Sequence, residues 1–296
     1  MTAPSFPQQS PWSERVAIVR RYHEMESRLT APVSERMLDL ACLQPGMRVL
    51  DLASGMGEPS LRAALRVGPT GFVLGTDLVD GMLEAAREQA RAQGLSNIEF
   101  RAVDAEALDL PEQSFDAATV RWGLMYMARP EQTLARVWQA LRPSGRLVCA
   151  CWAGLEQVEY VSLPRKSIEP FHQPPLIDTA APGVFRFSDP ERLRTVLAHS
   201  GFTLEHVEAM HIPVMEAADG AEVARWIRDF GGPVAKLVAE LPPEAQRAWE
   251  AGVVRECEHH RRDGKVQLGG VTWLAVARRT AANPGPDQTR GAQKLR

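Results

Sequence analysis

The sequence predicts an α/β fold of the doubly wound, Rossmann-like class, and three observations predict it. Between Arg48 and Trp152, short apolar runs alternate with longer amphipathic ones, the pattern of strands joined by helical crossovers into a parallel sheet. The first run leads into Gly55-Met56-Gly57, a tight turn that lets backbone approach a ligand closely. Acidic residues stand at or just past the ends of the first three runs, at Asp51, Asp77 and Asp104.

The elements follow in order. Residues 1–12 are polar and Pro-rich and are expected to lack structure. Ser13 is placed to cap a helix over 14–28, and a second helix is expected over 32–42, broken from the first near Pro32. After the Pro45-Gly46 turn come strands over 48–52, 71–76, 98–102 and 115–120. Pro59 suits the first turn of the helix after the glycine loop. Asp80 is placed to cap a helix over 81–92 that Gly94 ends. Pro130 opens a helix to Leu141, and Pro143-Ser144-Gly145 turns the chain into a fifth strand over 146–152. Residues 155–187 are rich in Pro and aromatics and predict an irregular lid. Ser188-Asp189-Pro190-Glu191 starts a helix that ends near Gly201. A strand over 202–214, helices over 221–240 and 244–262, and a last strand over 271–278 complete the chain. Gly231-Gly232-Pro233 is expected to break the first of those helices.

This divides the chain into an N-terminal helical cover (1–43), a cofactor core (44–154), a lid (155–187), and a closing segment (188–280). That segment carries inserted cap helices over about 217–263 and is followed by a tail (281–296) expected to be disordered.

Bulk properties exclude some partners. The 296 residues suffice for one large α/β domain with additions. A formal net charge of −3 without a long basic run gives no electrostatic reason for nucleic acid or an anionic membrane. No apolar stretch is long enough to span a bilayer, and the first residues lack the order of a signal peptide. A cytoplasmic location is therefore expected, with no membrane insertion, and a homodimer is left open. Cys42, Cys149, Cys151 and Cys257 form no CxxC pair. Cys149 and Cys151 alternate on the fifth strand and should share one buried face. No metal site is expected.

The glycine loop alone is a weak signal. Ser60 stands where a dinucleotide fingerprint would carry its third glycine. Asp77 is placed to accept hydrogen bonds from both hydroxyls of a ribose, which nicotinamide and adenosyl cofactors share. Asp104 with the backbone of Ala105 is placed to read an adenine edge, with Leu78 and Met82 sandwiching the ring.

The ordered segments VLDLASGMGEPSL, VLGTDLVDGML, VDAEALDLPEQSFDAATVRWGLMYM and LRPSGRLV resemble the class I S-adenosylmethionine-dependent methyltransferases. Within them they are most similar to the branch of the quinone-biosynthesis C-methyltransferases. The resemblance covers about Met47 to Trp152. It implies S-adenosyl-L-methionine as cofactor and a sheet of seven strands with the last antiparallel. It also implies that Asp51 supports a loop in which Ala53, Gly55 and Gly57 pass beside the amino-acid part of the cofactor. Asp77 would hold the ribose and Asp104 with Ala105 the adenine, while Arg121 and Trp122 would face the methyl-bearing sulfur. The segment Arg121-Trp122-Gly123-Leu124-Met125-Tyr126 departs from the quinone enzymes, so their substrate does not carry over.

The expected function is transfer of a methyl group, to oxygen or carbon, of a small and largely apolar acceptor resembling a quinone, polyketide or other secondary metabolite. Tyr22, Tyr126, Tyr160, Phe171, Trp226 and Phe230 are the expected pocket. His23 and His172 are the candidate bases, with His211 a further histidine of the same type. Two other readings stand beside this one: an NAD(P)-dependent oxidoreductase, and a non-catalytic protein that binds an adenosyl cofactor.

Overall fold

Arg48–Leu52 and Phe115–Arg121 are buried along nearly their whole length and on both faces, as interior strands of a parallel sheet must be. The computed structural model describes residues 12–230 and 232–280. The expectations for residues 1–11, for the tail over 281–296 and for Gly231 itself lie outside the described residues.

The first half of the described chain runs α1 (Val16–Leu40), β1 (Arg48–Leu52), α2 (Ser60–Val67), β2 (Phe72–Asp77), α3 (Asp80–Ala92), β3 (Ile98–Ala102), β4 (Phe115–Arg121), α4 (Pro130–Ala140) and β5 (Leu141–Trp152). The second half runs α5 (Glu159–Ile168), α6 (Pro190–His199), β6 (Phe202–Ala217), α7 (Gly220–Phe230), α8 (Pro233–Glu240), α9 (Pro243–Cys257), β7 (Arg261–Arg262) and β8 (Lys265–Arg279). The sheet order is β3-β2-β1-β4-β5-β8-β6, with the two-residue β7 paired to β8 off this path. Strands β1 to β5 are parallel, and β8 runs antiparallel between β5 and β6. The doubly wound sheet of seven strands closed by an antiparallel one is the predicted fold. No helix among the described residues is long and apolar enough to cross a membrane.

Two large apolar cores result, beside two smaller clusters around Leu83 and Met82. The larger lies against the sheet and includes Val49, Leu50, Val120, Leu147, Cys149, Cys151 and Leu274, so the two cysteines do share buried surroundings. Burial pushes the Cys151 thiol up to about 12 and that of Cys149 well above its ordinary range. The second core belongs to the cap: Leu163, Ile168, Trp226, Ile227, Trp249 and Val253 from α5, α7 and α9 close on Met215 and Leu268 at the far ends of β6 and β8.

The structure departs from several expected boundaries. The N-terminal region is one helix of 25 residues with Pro32 inside it, not two. Proline removes one backbone donor, but Leu29, Val33, Met37 and Leu38 on either side are buried, and that packing holds the helix continuous. Ser13 does not cap it: a 3-10 turn over Ser13–Arg15 precedes α1, and neither start has a side-chain cap. Asp80 is the first residue of α3 and not its cap; the N–H of Val79 donates to Asp77 Oδ1 instead. Pro59 precedes α2 as its N-cap residue.

The first part of the expected irregular lid contains the 10-residue helix α5, which tolerates Pro164 and packs on the cap; residues 169–189 carry no helix or strand. Pro143-Ser144-Gly145 is a bulge within β5, where the register with β4 jumps from Leu141 to Arg146. The last two long strands extend beyond expectation, to Ala217 and back to Lys265. Asp189 caps α6 through the N–H of Glu191, and α7 and α8 separate at the predicted glycines.

Trp249 tests whether the cap has a core of its own. It has no solvent exposure and donates its indole N–H to Ser167 at 2.9 Å. Trp249→Ala is expected to cost about 3–5 kcal/mol in urea unfolding. A loss below about 1 kcal/mol would show that the cap does not depend on this packing.

Candidate active site

The sheet order reverses between β1 and β4, and in open α/β sheets the crevice outside the carboxyl ends of such strands binds ligands. Asp51 builds the floor of this crevice. It is fully buried, stands opposite Thr119 of β4 in register, accepts from Thr119 Oγ1 at 2.7 Å and accepts from Ser60 Oγ at 2.5 Å. One carboxylate thus ties β1 to β4 and to the first turn of α2. Ser60, which breaks the dinucleotide pattern, is used for this tie. Burial pushes Asp51 up to about 6, against the opposing pull of the two hydroxyl donors.

Above Asp51 the backbone is strained. Ala53 and Trp122, neither of them glycine, have φ of 53° and 55°, in the left-handed region that costs L-residues free energy and concentrates at functional sites. The two loops touch: a Cβ on Gly123 would lie 2.4 Å from that of Ala53. The two glycines of the first loop do different work. A Cβ on Gly55 would meet nothing within 4 Å, whereas one on Gly57, at φ 110°, would lie 2.8 Å from Leu61 Cδ1. Gly55 therefore fronts open space. Gly57, expected beside the cofactor, is required by packing against α2.

The residues expected to hold the cofactor line this end of the sheet. Asp77 accepts from the N–H groups of Gly55 and Val79, both at 2.9 Å, which fixes its carboxylate beside the glycine loop; burial raises its pKa against those bonds. Asp104 is half-buried and accepts from Glu106 N at 2.9 Å, capping the turn that contains Ala105. Leu78 is exposed at 42 %. Met82 is buried under Trp12, Val16 and Val19, together with Met56, Val79 and Ala85. In the loop itself the Ser54 hydroxyl is buried and has no hydrogen-bond partner among the described residues. An open glycine, an orphaned buried hydroxyl and two anchored carboxylates fit an adenosyl cofactor with polar amino-acid, ribose and base parts.

The other wall is aromatic. Trp122 stacks on Trp152 at 4.6 Å and 11°, and Trp152 meets Tyr160 edge-on at 5.2 Å. The Trp122 indole donates to Thr272 Oγ1 of β8 at 3.0 Å. Tyr126 packs edge-on against Trp12 at 5.4 Å. Burial pushes the Tyr126 hydroxyl up to about 12 and that of Tyr160 well above its ordinary range, so both stay protonated. Neither hydroxyl has a hydrogen-bond partner among the described residues. Arg121 turns toward α1 and donates to Thr30 and Ser34 at 2.7 and 3.2 Å.

Other expected residues are placed elsewhere. Phe171, Trp226, Phe230 and Tyr22 belong to the cap core, with Trp226 and Phe230 packed at 5.2 Å and the Tyr22 hydroxyl 3.4 Å from Asp229. Helices α1 and α7 must bury an apolar face, and Tyr22, Trp226 and Phe230 fill it, while Phe171 packs beside them from the turn after α5. His23 meets Gln89 of α3 at 3.0 Å and lines an open groove of about 600 Å³ with Arg28 and Arg62. His172 and His211 are exposed. Sequence reasoning missed Trp152, Thr272, Thr30 and Glu26, because strand or helix periodicity accounts for each of them.

The comparisons with known proteins agree with this geometry. A family described as "Methyltransferase domain" matches residues 43–169. Over residues 43–169 the chain is therefore similar to a methyltransferase domain. The chain is distantly similar to the ubiquinone/menaquinone biosynthesis C-methyltransferase UbiE. It is 38% identical over 112 residues to that of Ectopseudomonas mendocina, covering 38% of this chain and 44% of the relative. To that of Methylobacterium nodulans it is 34% identical over 139 residues, covering 45% and 55%. The chain thus spans about half the length of the curated relatives it matches. Among solved structures, YcgJ of Bacillus subtilis shares the fold at TM-score 0.54 and 17% identity, over 84% of this chain and 98% of that one. The 4+2 cyclase SpnF does so at 0.51 and 22%, over 85% and 81%.

The Asp51 tie has a pH signature. Folding raises its pKa from 3.8 to about 6, so the folded chain binds this proton more tightly than the unfolded one. Its contribution is fully present below pH 3.8 and is lost as pH rises through about 6, a difference of roughly 3 kcal/mol. Asp51→Asn is expected to flatten the stability profile between about pH 4 and 7 in urea unfolding. Parallel profiles for the two proteins would remove the carboxylate from this role.

Proposed function

We propose that the chain is an S-adenosylmethionine-dependent methyltransferase whose acceptor is a small, planar and largely apolar molecule, methylated on oxygen or carbon. The observation that carries the reading is the meeting of two unlike walls at one crevice. Polar groups suited to an adenosyl cofactor stand at the ends of β1 to β3, and an indole stack with two protonated tyrosines stands beyond β4.

In this reading Asp77 takes the ribose hydroxyls with the lone pairs that Gly55 and Val79 leave free. Asp104 and the Ala105 backbone take the adenine edge, with the exposed Leu78 beside the ring. The Ala53–Gly55 loop and Ser54 take the amino-acid end. The bound cofactor supplies a methyl group already activated on a sulfonium, so the protein chiefly aligns the acceptor and excludes water. Trp122, Tyr126 and Tyr160 do this on the acceptor side, backed by the buried Trp152: their apolar surfaces hold a planar molecule, and the tyrosine hydroxyls offer it donors. The name of UbiE supports a ring acceptor. The Arg121–Tyr126 segment and the cap set the particular one.

Calorimetric titration of the stripped protein with S-adenosylmethionine, S-adenosylhomocysteine and NADH tests the cofactor. Binding of the two sulfur compounds without NADH is the expected result. Asp77→Ala should weaken S-adenosylhomocysteine binding by at least tenfold, through loss of about 1.5–3 kcal/mol of hydrogen bonding to a charged group. Unchanged affinity would displace Asp77 from the ribose, and binding of NADH alone would move the chemistry to hydride transfer.

A further inference from the structure

On α1, Glu26, Thr30 and Ser34 are spaced four residues apart and so lie on one side of the helix. Thr30 and Ser34 both accept from Arg121 Nη1, which aims that side at the carboxyl end of β4. Glu26 lies one turn toward the front of the helix, its carbonyl accepting from the Thr30 hydroxyl at 2.8 Å. Its carboxylate is half-buried and has neither an ion pair nor a hydrogen bond among the described residues. The other half-buried carboxylate of the middle of α1, Glu35, is held by Arg62 and Arg66 at 3.0 and 2.6 Å. An unpaired charge in such a place weakens the fold, and stability gives no account of it.

The surroundings of Glu26 do. Arg121 lies over the Trp122 ring at 4.8 Å, Trp122 stacks on Trp152, and Tyr160 meets Trp152 edge-on; Glu26, one turn from Thr30, acts through its charge on both Arg121 and the Tyr160 hydroxyl. Arginine stays a cation here, and burial keeps Tyr160 a donor. Both favour an oxyanion. Neither can take a proton from an acceptor, and Glu26 can.

We propose that Glu26 accepts the proton of an acceptor hydroxyl during methyl transfer, while Arg121 and Tyr160 hold the oxygen. The proposal rests on the methyltransferase reading above. The O–H bond breaks and its proton passes to a Glu26 carboxylate oxygen. The electron pair left on oxygen forms the bond to the methyl carbon as the carbon–sulfur bond breaks, and that bond's pair stays on sulfur. The two histidines named from sequence have no comparable position: His23 faces Gln89 across the outer groove, and His172 is exposed.

The test uses the full chain saturated with S-adenosylhomocysteine and 4-nitrophenol as probe, whose phenolate absorbance gives the pKa of the bound hydroxyl. The other ionisable groups near Glu26 and Arg121 are Asp51 at the end of β1, Glu58 before α2, Arg62 on α2, Tyr126 beyond β4, Tyr160 on α5, and Tyr22 and His23 on α1. All of them are unchanged in the variants. Removing the negative charge in Glu26→Gln should lower the bound probe's pKa by about one unit, a tenfold change in its ionisation. S-adenosylhomocysteine affinity should stay within about twofold. Glu26→Asp, which keeps the charge, should return the probe toward the wild-type value.

A bound probe with the same pKa in wild type and Glu26→Gln would overturn the proposal. So would a tenfold or larger loss of S-adenosylhomocysteine affinity in that variant, which would place Glu26 on the cofactor. Failure of wild type with S-adenosylhomocysteine bound to take up the probe would overturn the hydroxyl acceptor. Failure of wild type to bind S-adenosylhomocysteine at all would instead overturn the methyltransferase reading, and the proposal with it.

Discussion

Asp51 sits without solvent contact between β4 and the first turn of α2, accepting from Thr119 on one side and Ser60 on the other. The crevice depends on this arrangement. It holds β1 and β4 together at the point where the sheet reverses direction, and it brings α2 close enough for the glycine loop to fold back over the strand ends. The left-handed backbone at Ala53 and at Trp122 is the strain that follows. The contact between Ala53 and Gly123 shows how little space is left between the two loops. A carboxylate that stays partly uncharged near neutral pH sits at the centre of this, because the low-dielectric surroundings that make its hydrogen bonds strong also disfavour its charge.

Two bodies of packing divide the work. The sheet core underlies the strand-end crevice and lies largely within the matched residues 43–169. The cap core, built on α5 and α7 to α9, lies mostly beyond residue 169, where the match ends. Tyr160 packs against both cores, so the aromatic wall joins the matched residues to the cap. The 4+2 cyclase SpnF shares this fold, and a fold by itself does not fix a chemistry.

The sheet was legible because each strand between Arg48 and Trp152 is bounded by glycine, proline or a charge, and because each helix announces one apolar face. Asp77 and Asp104 stood out as candidates for a related reason: they lie at or just past strand ends, where an acid has no packing role. Pro32 misled, since burial on both sides of it outweighs one lost hydrogen bond. Gly57 looked like a ligand contact because the spacing of glycines does not reveal which of them faces a helix. Phe171, Trp226 and Phe230 looked like a pocket because aromatic content does not distinguish a wall from a core. Glu26 was hidden among the charges of an amphipathic helix; only the position of Arg121 separates it from a solvated side chain.

Helix α1 is a single rod of 25 residues, about 38 Å long. Its front rests on Val79 and Met82 beside the cofactor half, its middle contributes Tyr22 and Met25 to the cap, and its rear is embedded in the sheet core through Val33 and Met37. A rod anchored at the rear and held at the front by a small cluster would tilt as one piece. Any such tilt would move the strand-end crevice and the cap together, so the two ends of the crevice share a single mechanical element.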